Sequence, residues 1–252
     1  MIDALETIPL DDVQLPGVNR PRLARYLELP SVAQIDPVTD AEVRKLDDRR
    51  DELLSIWRRA VVAPVDRAVG TSIELAGEFP PIDSTDAYVR QLVEREVDAL
   101  VVAAFTIGGR VDEFIRAHLS REEVYEAYVL KQWAATMTEQ ARVALARDLQ
   151  GWVERRGRSL LPYDGPGYNG WPLTALGPLL ELGYRASGDG RARPIRATDC
   201  GVLLPTNSMV LVFGVTPQCS VDARDDERLA QCHRCAMRNC RYRTAPTVEV
   251  GV

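Results

Sequence analysis

The sequence lacks the short motifs by which several large enzyme classes are recognised. It contains no P-loop and no G-x-S-x-G segment, so nucleoside triphosphate binding and serine-hydrolase chemistry have no support. Histidine is scarce, with 2 residues in 252. His118 lies in an amphipathic segment, where we expect a structural or surface role. The acidic pairs Asp47-Asp48 and Asp225-Asp226 are typical of solvated charges, so catalysis by paired carboxylates is also unsupported.

Long apolar runs are missing as well. No stretch reaches the roughly 18 apolar residues that are needed to span a bilayer, and the acidic first residues do not form a secretory signal pattern. The net charge of −6 argues against general nucleic-acid binding. Hydrophobic and charged contents of 46% and 27% are those of an ordinary globular protein. We therefore expect a cytoplasmic protein that binds neither membranes nor nucleic acid.

Cysteine is present in only 5 positions, but 4 of them lie close together near the C-terminus. These residues are Cys219, Cys232, Cys235 and Cys240. A Cys-x-x-Cys pair places two thiolates on one ion, and thiolates are the ligands that zinc and iron–sulfur clusters prefer. The spacing therefore predicts a cysteine-ligated metal segment that holds zinc or a [4Fe–4S] cluster.

Several alternatives remain open for this segment. The cysteines are alternatively reduced thiols or two disulfides, and His233, between Cys232 and Cys235, is an alternative ligand. The segment also carries a cluster of arginines, which either offset the thiolate charge or form a basic patch for an acidic partner or nucleic acid. These are Arg228, Arg234, Arg238, Arg241 and Arg243.

Hydrophobic periodicity predicts both helices and strands. A capping box at Thr39 and Glu42 predicts a helix to about Ala60, and a second box at Ser120 and Glu123 predicts a long helix to about Arg155. Further helices are predicted within 18–30, 86–94, 111–119 and 172–183. Strands are predicted at 70–76, 99–107, 192–198 and 209–215, and the second and fourth of these are expected at the sheet centre.

The segment PGYNGWP, residues 166–172, is predicted to be an ordered loop because it combines two aromatics with two rigid prolines. Its glycines would allow the backbone to approach a ligand closely, and Tyr168 and Trp171 would wall a planar group. The alternative is a tight loop that plugs the core.

Four motifs, in order, resemble the activation domain of vitamin B12-dependent methionine synthase and related stand-alone proteins. They are AAFTIGGRVDEFI, PGYNGWPL, TDCGVLLPTNS and the CxxC-x4-C ending. The resemblance implies an α+β fold: a C-shaped domain with a twisted, mainly antiparallel β-sheet packed by helices. It divides the chain into an N-terminal helical extension (1–38), an activation-like domain (39–216) and a Cys-rich metal-binding tail (217–252).

The resemblance also implies a function. The chain would be an accessory or reactivation protein that docks on a corrinoid (cobalamin)-dependent methyltransferase and supports reductive reactivation or methylation of cobalt with S-adenosylmethionine. Cobalamin would be contacted through the partner. The alternative is a non-catalytic docking module with a structural zinc knuckle.

The family's Arg-x-x-x-Gly-Tyr motif falls on residues 163–168, where Gly167 and Tyr168 match and Tyr163 replaces the arginine. The cofactor-binding residues that the resemblance implies are Tyr163, Gly165, Gly167, Tyr168 and Trp171. Arg193 or Arg196 would replace the missing guanidinium.

Two further positions depart from the family pattern. Cys200 stands at a serine position of the turn and is predicted to be a buried thiol. Phe213 stands where the family carries a tyrosine.

Overall fold

The computed structural model describes residues 4–185 and 193–217, which form an α+β fold. A curled antiparallel sheet of seven strands has the order β4-β3-β2-β5-β9-β6, and β1 also pairs with β2. Its strands are β1 (Glu6–Ile8), β2 (Trp57–Val69), β3 (Ser72–Leu75), β4 (Ile82–Asp83), β5 (Ala99–Thr106), β6 (Ser159–Leu160) and β9 (Ser208–Thr216). A separate small hairpin consists of β7 (Arg196–Ala197) and β8 (Leu203–Leu204).

Helices cover both faces of this sheet. They are α1 (Arg20–Tyr26), α2 (Pro37–Asp48), α3 (Arg50–Leu53), α4 (Asp86–Glu94), α5 (Arg110–Ser120), α6 (Val124–Glu154) and α7 (Leu176–Arg185). Among the described residues, none of these helices has the length and apolar character needed to cross a membrane.

Strand β5 lies at the centre of the sheet, as predicted, and all eight of its residues are buried. It pairs with β2 from Pro64↔Ala99 to Trp57↔Thr106, and with β9 from Ala99↔Val215 to Thr106↔Ser208. A strand that is covered on both faces is apolar along most of its length. The apolar run 99–105 of β5 is therefore consistent with its place between two helical layers.

Alternate residues of the central strands belong to two core clusters. On one face, Val101 and Phe213 pack in a cluster that includes Trp133 and Met137 of α6. Leu23 of α1 belongs to the same cluster, so part of residues 1–38 packs into the main core. On the other face, Val102 and Val212 pack with α4, α7 and β3.

Two helix starts differ from the prediction, although the helices themselves are present. Helix α2 is capped by Asp36, whose carboxylate accepts hydrogen bonds from the backbone N–H groups of Val38 and Thr39 at 2.9 and 3.0 Å. Helix α6 begins after Glu123, and the Ser120 hydroxyl donates instead to the Ala117 carbonyl of α5. Both predicted capping boxes were therefore wrong.

The predicted helix from Thr39 to about Ala60 was wrong in its last residues. Helix α2 ends at Asp48, the short helix α3 follows to Leu53, and β2 begins at Trp57. Pairing with β1 on one edge and β5 on the other outweighs the local helical pattern there.

Candidate functional site

The Gly-Pro loop, residues 166–172, is held in place because the chain just before it is bonded to the central sheet. Asp164 forms an isolated antiparallel bridge with Val212 of β9, with both backbone N–O distances at 2.8 Å. Its buried carboxylate accepts hydrogen bonds from the Gly165 N–H at 2.8 Å and from Nδ2 of Asn169 at 3.2 Å. One residue thus fixes the loop to the sheet and holds its turn.

The glycines of the loop serve the packing of the loop itself. A Cβ on Gly165 would lie 2.9 Å from the carbonyl oxygen of Val210, so this glycine permits close approach to β9. Gly167 has a φ of +89°, and its N–H donates to the Trp171 carbonyl at 2.9 Å. Both positions thus have a structural reason to be glycine.

Trp171 lies on the other side of the sheet from Tyr163. The indole packs in the cluster with α4 and α7, 4.8 Å from the Tyr88 ring centroid, and is almost fully buried. Tyr163 and Tyr168 pack with the cluster that contains α6. The structure therefore brings Tyr163 and Tyr168 together and separates Trp171 from them.

Tyr163 is the centre of a small aromatic group. Its ring is edge-on to Tyr168 at 6.0 Å and tilted against Phe213 at 5.9 Å between centroids. Tyr163 is buried, whereas Tyr168 is partly exposed. The partly exposed edge of this group can present an aromatic surface to a ligand.

An arginine that the sequence reasoning missed also contacts this group. The guanidinium carbon of Arg142, on α6, lies 5.2 Å from the centroid of the Tyr163 ring. Glu139 holds the guanidinium in a bidentate pair, with Nε–Oε2 and Nη2–Oε1 distances of 2.8 and 2.6 Å. The third nitrogen, Nη1, is buried and has no hydrogen-bond partner within residues 4–185 and 193–217.

Arg142 keeps its charge although it is 1% exposed. Burial opposes the charged form, but the attraction of Glu139 and its hydrogen bonds outweigh burial and hold the pKa of the guanidinium above its ordinary value. Arg22 also approaches Glu139, with a 3.8 Å distance from Nη1 to Oε1. The aromatic group is therefore flanked by a carboxylate that two guanidinium groups share.

The two arginines proposed from sequence lie in other contacts. Arg193 pairs with Glu181 of α7 at 2.9 Å and lies over the Tyr184 ring at 5.3 Å. Arg196 is an exposed residue of β7. A usable signal for Arg142 was its i,i+3 spacing from Glu139, which places both side chains on one helix face.

Residues 198–202 form the turn between β7 and β8. The Thr198 hydroxyl lies 3.1 Å from the Cys200 sulfur and accepts a hydrogen bond from the Val202 N–H at 3.0 Å. Cys200 is exposed, so its prediction as a buried thiol was wrong; the tip of a turn leaves its side chain uncovered. The hydrogen bond with Thr198 lowers the pKa of the thiol.

The turn also packs against the Gly-Pro loop. Gly201 has a φ of +78°, and a Cβ there would lie 2.6 Å from Cβ of Leu173. The two motifs that sequence reasoning recognised separately therefore meet in the folded protein.

The predicted metal ligands Cys219, Cys232, Cys235 and Cys240, with His233, lie outside the described residues. Within residues 4–185 and 193–217, no group of three or more His, Cys, Asp or Glu side chains is arranged to hold a metal ion. His118 has the predicted structural role, because its Nδ1 lies 2.7 Å from Oε2 of Glu123 and ties α5 to α6.

The described residues thus form an α+β domain in which helices pack on an antiparallel sheet. Aromatic and ionic side chains lie beside its Gly-Pro loop. No protein-family model and no curated protein matches the chain. Among solved structures, it is similar to the MetH reactivation domain, whose crystal structure was determined bound to AdoHcy. The likeness has a TM-score of 0.57 at 15% identity and covers 87% of this chain and 81% of that domain. The fold implied by the sequence motifs is thereby confirmed.

Proposed function

We propose that this chain is an accessory protein of a cobalamin-dependent methyltransferase such as methionine synthase, and that it supports reductive reactivation or methylation of the partner's cobalt. The observation that carries this proposal is the fold likeness, over 87% of the chain, to a reactivation domain that binds AdoHcy. The motif order PGYNGWPL, TDCGVLLPTNS and CxxC-x4-C supports the same assignment.

The side chains beside the Gly-Pro loop fit a ligand of the S-adenosylmethionine class. Aromatic faces attract the sulfonium cation, and Tyr168 supplies a partly exposed ring beside the loop. Arg142 is buried against Tyr163 and paired with Glu139, so its guanidinium orders the aromatic group from within the core and does not reach the ligand. The ligand would supply the methyl group.

Calorimetric titration with S-adenosylmethionine and with AdoHcy tests this ligand assignment, because only the former carries the sulfonium cation. We expect both to bind the parent chain, and we expect at least a tenfold loss of S-adenosylmethionine affinity in Tyr168→Ala. Tyr128→Ala is the matched control, because Tyr128 is an exposed tyrosine of α6. Equal affinities in the two variants, or no binding to the parent chain, would count against the assignment.

Reactivation itself is tested with a purified methyltransferase whose cobalamin has been oxidised to the inert cob(II)alamin state. With S-adenosylmethionine and a chemical reductant present, we expect the absorbance spectrum of methylcobalamin to return faster when the chain is added. Co-migration with the partner without faster recovery would support the docking-module alternative.

Cys219, Cys232, Cys235 and Cys240 are proposed to hold a [4Fe–4S] cluster or zinc. A cluster could supply a low-potential electron, whereas zinc at four thiolates would only stabilise the segment. Metal analysis and an electronic spectrum of anaerobically purified protein separate these cases. Cys235→Ser should lose the metal, and Cys200→Ser should retain it. A colourless zinc protein would exclude electron donation by this segment.

A further inference from the structure

A cleft of about 920 Å³ lies between α5, α6 and the β7–β8 hairpin. Its apolar wall consists of Ile115, Ala135, Pro194, Leu204 and Pro205. The volume is that of a small-molecule pocket, for which roughly 300–1,000 Å³ is usual. The cleft is therefore large enough for a ligand of nucleotide size.

Basic side chains outnumber acidic ones around this cleft, although the whole chain has a net charge of −6. The basic residues are Arg116, Lys131, Arg193 and Arg196, and the acidic residues are Asp112 and Glu113. Such a local reversal of charge favours an anionic ligand.

The carboxylate of Asp112 is already occupied by donors from the loop after β8. It accepts hydrogen bonds from the backbone N–H of Thr206 at 2.9 Å, from the Thr206 hydroxyl, and from Nδ2 of Asn207 at 3.5 Å. These bonds fix the loop to the first turn of α5.

Lys131 and Arg196 are the basic residues best placed to meet a ligand. Both are exposed, and within the described part of the chain neither forms an ion pair with a carboxylate. Arg193 pairs with Glu181, and Arg116 donates through Nε to the Asp112 carbonyl at 3.2 Å. Two side-chain cations that line the cleft are thus available, one on α6 and one on β7.

We propose that this cleft binds a phosphate monoester of about nucleotide size. Lys131 and Arg196 hold the phosphate, because ammonium and guanidinium groups bind phosphate oxygens through charge-assisted hydrogen bonds. The organic part lies on the apolar wall near Ile115 and Pro205. The cleft is distinct from the proposed S-adenosylmethionine site, because neither Tyr163 nor Tyr168 is among the residues that line it.

Calorimetry with AMP, adenosine and inorganic phosphate on the full chain tests this proposal. We expect AMP to bind at least tenfold more tightly than adenosine, and its affinity to fall as salt is added. The double variant Lys131→Gln, Arg196→Gln should weaken AMP binding at least tenfold. Arg90→Gln is the control for loss of a positive charge outside the cleft, because Arg90 is an exposed residue of α4 that pairs with Asp86.

Three outcomes would overturn the proposal. They are no binding of AMP or phosphate at millimolar concentration, equal binding of adenosine and AMP, and equal AMP affinity in the double variant and the Arg90→Gln control. AdoHcy binding to the double variant is measured in parallel. Unchanged AdoHcy affinity is expected, so loss of AMP binding alone leaves the proposed function intact.

Discussion

The indole N–H of Trp171 donates a hydrogen bond to the backbone carbonyl of Asp83, with 2.6 Å between nitrogen and oxygen. This bond joins the end of the Gly-Pro loop to β4, at the edge of the sheet. The indole also packs 4.8 Å from Tyr88 of α4. One side chain therefore connects the loop to both the edge strand and a helix of the second core cluster.

Two replacements of this indole should separate the stability that its hydrogen bond contributes from the stability that its packing contributes. Trp171→Phe leaves the Asp83 carbonyl without its donor and should cost about 1–3 kcal/mol. Trp171→Ala also removes the ring from the core and should cost about 3–5 kcal/mol. Urea unfolding gives both values. A stability for Trp171→Phe equal to that of the parent would show that the hydrogen bond contributes little.

Gly165→Ala should destabilise the protein by about 1–3 kcal/mol, because the new Cβ would meet the Val210 carbonyl oxygen at 2.9 Å. Gly183→Ala is the matched control. Gly183 lies in α7, and no atom of the described part of the chain comes within 4 Å of the place that a Cβ would occupy, so alanine there should be neutral or stabilising by up to about 1 kcal/mol. The midpoints of thermal unfolding of the two variants should shift in opposite directions or by clearly unequal amounts.

Arg142→Met should cost about 3–5 kcal/mol, because it leaves the carboxylate of Glu139 without its bidentate partner. The double variant Glu139→Gln, Arg142→Met removes both charges and should recover part of that loss. A double-mutant cycle in urea measures the coupling. Additive effects would mean that the pair does not act as a unit.

Stability should depend on pH through Glu123. The hydrogen bond from Arg121, followed by that with His118, lowers the pKa of this carboxyl from 4.5 to about 2. Because the pKa is lower in the folded state, the stabilisation is complete above about pH 4.5 and is lost as the pH falls towards 2.

The matching variant is Glu123→Gln, which should be less stable than the parent at pH 7 and converge with it near pH 2. Glu126→Gln, also in the first turn of α6, is the control. A stability difference that stays constant with pH would exclude this role for Glu123.

Cys200 should react readily with iodoacetamide, because it is exposed and the Thr198 hydroxyl lowers the pKa of its thiol. Thr198→Val should raise that pKa and slow alkylation at neutral pH, whereas Thr198→Ser should preserve the rate. Peptide mapping by mass spectrometry follows Cys200 separately from the other cysteines. Equal rates in the valine and serine variants would contradict the role of the hydroxyl.

Patterns within short stretches of the sequence were sufficient to predict some elements of the fold. The apolar run between Asp98 and Gly108 predicted β5, because only a strand with both faces covered needs such a run. Helix α4 matched its predicted bounds, Asp86–Glu94, and the Thr85 side chain caps it. In each case the determining contacts lie close together in the sequence or follow from simple burial.

Tertiary contacts decided the elements that the sequence did not predict. Strand β2 contains Pro64 and follows a helical pattern, so its pairing with β1 and β5 could not be predicted locally. The contact of Arg142 with Tyr163 likewise depends on how α6 packs on the sheet. Motif order indicated the Gly-Pro loop. Only the folded structure shows that Tyr168 and Trp171 lie on opposite faces of the sheet.

Helix α6 sets a fixed spacing between two regions of the surface. Lys131, at the anionic-ligand cleft, and Glu139, beside the aromatic group, are separated by two turns, which is about 12 Å along a straight helix axis. A continuous helix transmits displacement as a rigid rod. Any movement that shifts the cleft along this axis must therefore carry the Glu139–Arg142 pair with it. The spacing along α6 also sets the linker length for a single ligand designed to reach both regions.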